Sequence, residues 1–207
     1  MANENLKMKH WRGVKLRINI PQQVEPARAQ PLAMAIKWDP PDHPWIKLNT
    51  DGSFNEVTNK AGGGIIRDSS GNMLVAFSKP LEAHSALEAE LTAMIHGLRL
   101  AMDLDLPIWI KSDAEQAINL VNGAGWGPAL ARQAVAQLIL LKRQLKFRVT
   151  FIHREGNKAA DFLARIGLRL DSGRQLDHNS APRDLMDFVR LDRMGVPNIR
   201  TLDGDGY

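Results

Sequence analysis

The sequence predicts an α/β fold in which a mixed five-stranded sheet is flanked by helices. Three observations carry this expectation. An apolar/polar alternation at 45–54 (WIKLNTDGSF) opens the pattern, and two further strand-like runs follow at 61–68 (AGGGIIRD) and 73–79 (MLVAFSK), joined by the turn residues Ser69, Ser70, Gly71 and Asn72. Two later strand runs, 108–112 (IWIKS) and 146–152 (KFRVTFI), each follow a stretch of helical periodicity. Hairpin-linked strands pair antiparallel, and helix-linked strands pair parallel, so this order gives three antiparallel strands and then two parallel ones.

Residues 1–37 precede this pattern. They mix Lys7, Lys9, Arg12, Lys15 and Arg17 with Pro21, Pro26 and Pro31 and show little periodicity. A short strand at 15–20 fits the alternation KLRINI, but the composition is that of a flexible basic arm, either a solvated linker or a weak contact for nucleic acid or an import receptor. Prolines around Trp38–Pro44 close the arm and open the domain, placed at 38–170. Helices are expected at 85–103, 114–121, 128–145 and 157–168, the last with Asn157 as N-cap. Residues 171–207 read as a polar tail with a short helix at 183–194.

Composition limits the chemistry. The 207 residues include no cysteine, which excludes a disulfide framework, a disulfide-linked partner, a thiolate nucleophile and a thiolate metal site. No apolar run reaches membrane-spanning length and no secretory h-region opens the chain, so no membrane partner and an intracellular location are expected, nuclear or cytoplasmic, with an organelle left open. The net charge of +4 is unevenly laid out: +5 over residues 1–37, +1 over 38–170 and −2 over 171–207. The central domain is therefore not a strongly basic nucleic-acid binder by composition alone.

The candidate chemistry rests on four acidic residues. Asp51 and Asp113 each end a strand run, and parallel neighbouring strands would bring them to the carboxyl edge of the sheet, where open α/β sheets place their sites. Taken singly, either Asp serves equally well as a turn or helix cap. Glu90 shares a helix face with Ala86, Ala93 and Gly97, the small residues that let a helix approach a sheet, and a carboxylate buried there must meet a cation, a metal or a proton. Glu88, on the face of Thr92 and Arg99, reads as a solvated glutamate with basic neighbours. Asp161 falls in the first turn of the last helix, where the helix dipole alone would account for it. If the four converge they repel, and divalent cations relieve that repulsion. An oxygen-only donor set favours Mg²⁺ or Mn²⁺ over zinc. Two carboxylate-held ions are a standard arrangement for phosphodiester hydrolysis.

The strings LNTDGSF (48–54), AGGGIIRDSSGN (61–72), EAELTAMIHGLRLA (88–101), IKSDAEQAI (110–118) and HREGNKAADFLA (153–164) resemble the ribonuclease H-like superfamily, and within it the plant, retroelement-derived type 1 ribonuclease H domain. The resemblance covers 38–170. It implies a ribonuclease H-like fold and a hydrolase that cuts the RNA strand of RNA–DNA hybrids with two Mg²⁺, Mn²⁺ being an alternative. The family's four catalytic, metal-holding carboxylates fall on Asp51, Glu90, Asp113 and Asp161.

There is one departure. The family commonly has a histidine ten residues before its last aspartate, where this chain has Phe151. His153, two positions on and on the same strand face, can take that proton-shuttling place; a surface-loop histidine is the alternative. Lys111 also stands where the family is often acidic. Hybrid recognition in such proteins is backbone and minor-groove work, for which Gly52, Ser53, Asn55 and Asn157 are the candidate contacts. Gly62, Gly63 and Gly64 fit either a bulged strand or a close ligand approach. The segment 121–131 has Trp126 but no basic cluster. Lys142, Arg143, Lys146 and Arg148 form the best basic run of the domain, as a solvated helix end or as phosphate contacts. The sequence thus points to a monomeric hybrid ribonuclease. The alternative is a domesticated nucleic-acid-binding module of the same fold with weak or no nuclease activity, and a protein–protein adaptor is disfavoured because it needs none of the four acids.

Overall fold

A computed structural model describes residues 8–11, 14–17, 32–55 and 60–202. The chain divides into two units. Among its described residues, the first (Met1–Leu32 with Asp203–Tyr207) holds an antiparallel hairpin of β1 (Met8–Trp11) and β2 (Val14–Arg17). The flexible-arm reading of residues 1–37 lies for the most part outside the described residues, as do 18–20 of the strand expected at 15–20.

The second unit, Ala33–Leu202, carries a mixed sheet with helices on both faces. Its strands are β4 (Ile46–Phe54), β5 (Lys60–Arg67), β6 (Met73–Pro80), β7 (Ile108–Ser112), β8 (Phe147–Phe151) and β9 (Arg174–Leu176), in the spatial order β8-β7-β4-β5-β6-β9. The β4/β5/β6 pairs are antiparallel and the β4/β7/β8 pairs parallel, as the order of runs predicts. The sheet has six strands rather than the expected five, because the three-residue β9 pairs antiparallel with β6. A separate two-stranded ladder joins β3 (Leu32–Ile36) to β10 (Asn198–Leu202).

Helices α1 (Ala86–Ala101), α2 (Glu115–Val121) and α3 (Arg132–Gln144) cover one face and pack with Leu48, Ile66, Ile108 and Ile110. On the other face α4 (Lys158–Gly167) and α5 (Arg183–Arg193) enclose Ile65, Ala76, Leu163, Leu185 and Val189. Successive strand residues point to opposite faces, so the run Gly62-Gly63 serves both. A Cβ on Gly62 would lie 3.0 Å from the Ala93 Cβ on α1, and one on Gly63 would lie 2.2 Å from the Ala164 nitrogen on α4. The glycine run therefore admits helices, and of the two readings it is close packing that the structure shows. The segment read as a polar tail supplies β9, α5 and β10, with Leu176, Leu185 and Val189 buried.

The N-terminus of α1 is capped by Ser85, whose hydroxyl accepts from the Glu88 N–H at 3.1 Å, while the Glu88 carboxylate accepts from the His84 N–H at 2.7 Å. Glu88 thus holds the residue before the cap, and among the described residues no basic side chain bonds it.

Candidate active site

Asp51 and Asp113 meet because β4 and β7 run parallel in register. Asn49 is level with Lys111, and the two aspartates lie two residues further along each strand. Glu90 arrives from α1. Gly52 makes this possible: a Cβ there would sit 2.4 Å from the Glu90 nitrogen, so only glycine lets the helix come this close. Asp51, Glu90 and Asp113 each offer an oxygen, and the three oxygens lie within 4.8 Å of one another.

The electrostatics follow from that crowding. Burial, then the charges of Asp113 and Asp161, push the Asp51 carboxyl up to about 7, with Arg154 and Arg165 pulling the other way. Burial, then the charges of Asp51 and Asp113, raise Glu90 well above the usual carboxylate range. Two donors oppose this on Glu90, the Gly52 backbone N–H and the Ser112 hydroxyl, the latter at 3.4 Å. Such a trio strongly prefers a proton or a cation in its midst.

Asp161 stands outside the trio. It is held by Arg154 at 3.0 Å and by Arg165, one turn further along α4, also at 3.0 Å. Asp161 is thus a neighbour of the three carboxylates whose field reaches Asp51 while two guanidinium groups hold it.

Asn157 occupies the N-cap position of α4 but makes no side-chain cap bond. It is buried, and its amide donates to the Thr50 carbonyl at 2.9 Å and to Asp113 Oδ1 at 3.0 Å. Its Oδ1 accepts from the Asn49 amide at 2.9 Å. The expected capping role is thereby corrected: the side chain is spent on three internal hydrogen bonds and does not cap the helix. Asn49 Oδ1 in turn accepts from the Trp38 indole at 2.9 Å and from Arg67 Nη2 at 3.1 Å. Arg67 is only 1% exposed, stacks 3.5 Å from the Trp38 ring centroid, and bonds Asp192 of α5 at 2.6 Å. Burial lowers the Arg67 guanidinium to about 10 and raises Asp192, and their mutual attraction opposes both changes. A continuous polar chain thus runs Asp192–Arg67–Asn49–Asn157–Asp113.

Of these, Asn49, Arg67, Ser112 and Asp192 are missing from the sequence-based site. Asn49 left a signal, being polar two residues before Asp51 on the same strand face, and Arg67 left another as the charge ending an apolar run. Asp192 left none. Gly52 acts through packing and its bond to Glu90, Ser53 is half-buried, and Asn55 is exposed beyond the strand end. Phe151 is exposed and meets the His153 ring edge-on at a centroid distance of 5.0 Å. His153 Nδ1 lies 2.8 Å from Arg200 Nη1 of β10.

This fold and carboxylate trio define a protein of the ribonuclease H-like superfamily. The family described as reverse transcriptase-like matches residues 49–167, more than half of the chain, and the chain belongs to it. An Arabidopsis thaliana protein named as a candidate ribonuclease H protein is 27% identical over 164 residues, covering 77% of this chain and 26% of that protein, so the chain spans about a quarter of that relative. Among solved structures, ribonuclease H1 of Halobacterium salinarum NRC-1 superposes with a TM-score of 0.56 at 21% identity, covering 60% of this chain and 98% of that one. LC11-RNase H1, isolated from compost, gives a TM-score of 0.54 at 24% identity, covering 60% and 96%. These likenesses give the fold.

Proposed function

We propose that the chain is a divalent-metal-dependent ribonuclease that hydrolyses the RNA strand of RNA–DNA hybrids. The observation that carries this reading is the convergence of Asp51, Glu90 and Asp113 within 4.8 Å at the carboxyl edge of a ribonuclease H-like sheet. LC11-RNase H1, of the same fold, was solved in complex with an RNA/DNA hybrid, which supports the substrate class.

The donor set suits hard divalent cations. It is all oxygen, and the raised Asp51 and Glu90 carboxyls mark a place where positive charge is favoured. Asp51, Glu90 and Asp113 would hold Mg²⁺ or Mn²⁺, with Asp161 beside them. A bound pair of such ions supplies activation of water and stabilisation of the leaving oxygen. The chain's own work is positional. Gly52 seats α1, the Gly52 N–H and Ser112 orient the Glu90 carboxylate, and Asn157 fixes Asp113 against Thr50. Arg154 and Arg165 anchor Asp161 and temper the negative field at Asp51.

A second reading, a nucleic-acid-binding module with weak or no nuclease activity, is favoured by Phe151 at the usual histidine position and by the engagement of His153 with Arg200. One experiment separates them. Wild type and Asp51→Asn are incubated with a labelled RNA–DNA hybrid and Mg²⁺ or Mn²⁺. The enzyme reading requires cutting by wild type alone. If both proteins bind the hybrid alike and neither cuts it, the module reading holds.

A further inference from the structure

Sheet alternation places Lys47, Asn49 and Asp51 of β4 on the α4 side of the sheet, level with Trp109, Lys111 and, two residues beyond it, Asp113 of β7. Arg148 and Thr150 of β8 continue the same rows. Helix α4 packs on β4, β5 and β6, so this side of β7 and β8 extends past it.

On that open strip aromatic rings hold cations. The Arg148 guanidinium lies 3.9 Å from the Trp109 ring centroid and 4.6 Å from that of Trp45. The Lys47 and Lys111 amines lie 4.3 Å and 4.6 Å from Trp109, and the Lys146 amine 5.6 Å from Trp45. Arg148 and Lys146 are exposed, and Trp45, Trp109 and Lys111 half-exposed. Elsewhere in this unit Arg67, Arg154, Arg165 and Arg200 pair with acids. Among the described residues Lys47, Lys111, Lys146 and Arg148 form no ion pair. The Trp109 indole donates to Thr150 Oγ1 at 2.7 Å, which fixes the ring that gathers them. Their mutual repulsion is visible at buried Lys47, whose amine is lowered to about 8 by burial first and then by Lys111 and Arg67, with Arg148 adding to it and Asp39 opposing.

A sheet strip that concentrates positive charge, with Asp39 the one carboxylate acting on Lys47, complements a polyanion. Two strand residues advance about 6.6 Å, so the strip runs about 20 Å from the level of Asp113 to that of Lys146, in line with the carboxylate trio. We propose that this face of β7 and β8 is a second nucleic-acid contact, on which Lys111, Lys146 and Arg148, held by Trp45 and Trp109, carry the sugar–phosphate backbone of the bound nucleic acid past the carboxylate centre. It rests on the reading that the chain binds nucleic acid, and it adds a surface that this reading does not need.

The test is binding of a labelled RNA–DNA hybrid to the full chain in EDTA, by fluorescence anisotropy over a range of salt concentrations. Variants are Lys146→Ala/Arg148→Ala, Lys146→Ala alone and Arg148→Lys, with thermal melts to confirm folding. Each phosphate contact contributes about 0.9 to the slope of log affinity against log salt, which is about eightfold in affinity at 0.1 M salt. The double variant is expected to lower the slope by about 1.8 and Lys146→Ala by about 0.9, while Arg148→Lys, which keeps the charge, leaves it near the wild-type value. Should the double variant fail to fold, Lys146→Ala at the exposed strand edge decides alone. A wild-type slope and affinity in the folded variants overturn the proposal, and the surface then serves something other than nucleic acid. Cleavage with Mg²⁺ is measured in parallel. Intact cleavage with an unchanged slope overturns this surface only; a lowered slope in a protein that never cuts hybrid overturns the nuclease reading and leaves the surface standing.

Discussion

Replacing Asp51 by Asn should make the metal-free protein more stable while removing its proposed chemistry. The Asp51 carboxyl stands at about 7 in the folded chain against an ordinary 3.8. A raised carboxyl favours folding only while it is protonated in both states. That condition holds below 3.8, and the advantage is lost progressively as pH rises to about 7. A difference of about 3 pK units corresponds to roughly 4 kcal/mol carried against the folded state above neutrality. Asn has nearly the same shape and no charge, so the variant should recover most of that. For a unit of this size, 1 kcal/mol moves the melting point by roughly 2–4 °C, which gives a gain of about 8–16 °C near pH 8 in EDTA. By about pH 5 the wild-type carboxyl is protonated in the folded state and the gain should shrink to about 2 kcal/mol. The assay is thermal unfolding by circular dichroism at the two pH values. A variant that melts at or below wild type near pH 8, or whose gain is the same at both pH values, refutes the argument that burial of the Asp51 charge, with repulsion from its acidic neighbours, is what the site stores.

Divalent cation should act oppositely. Mg²⁺ or Mn²⁺ at about 100 times its dissociation constant should add roughly 2.7 kcal/mol to wild type, and no comparable shift should appear in Asp51→Asn; an equal shift in both would move the metal away from the trio. Gly52→Ala places a methyl 2.4 Å from the Glu90 nitrogen. It should cost about 1–3 kcal/mol, read as a lower urea midpoint, and cleavage should fall with it. Asn157→Ala leaves the Thr50 carbonyl and the Asn49 amide without their partner, for about 1–3 kcal/mol per orphaned group, and a melting point within 1–2 °C of wild type would contradict the internal role assigned to it. His153→Ala should change the rate of hybrid cleavage by less than about threefold, because Arg200 engages its ring; a loss of about 100-fold or more would restore it as a proton shuttle.

What was legible in the sequence is what depends on short-range periodicity. Glu90 could be placed because Ala93 and Gly97 share its helix face, and both prove to abut the sheet at Gly62 and Leu48. Asp51 and Asp113 could be placed because each ends an alternating run, and parallel register does the rest. Arg67 and Asp192 escaped because their pairing spans 125 positions and leaves no local period. β9 escaped because three residues with one buried leucine carry no alternation. Asn157 was seen in its helix but not in its bonding, since an amide four residues from Asp161 satisfies capping rules and tertiary demands alike. Asp161 was seen on the right helix, yet its partners are decided by competition between carboxylates and arginines, and no spacing rule resolves that.

The bond between Arg67 and Asp192 bears on where this protein can be cut. The family match ends at residue 167, which invites a fragment that stops there. Such a fragment would lack the only acid paired with the buried Arg67 among the described residues, and removing one partner of a buried ion pair costs about 3–5 kcal/mol, comparable to the whole stability of a small domain. It would also bare Ile65 and Leu163, which Leu185 and Val189 cover. The shortest piece worth expressing therefore runs through α5, and an inactive product of a shorter clone would report a missing counter-ion before it reported anything about catalysis.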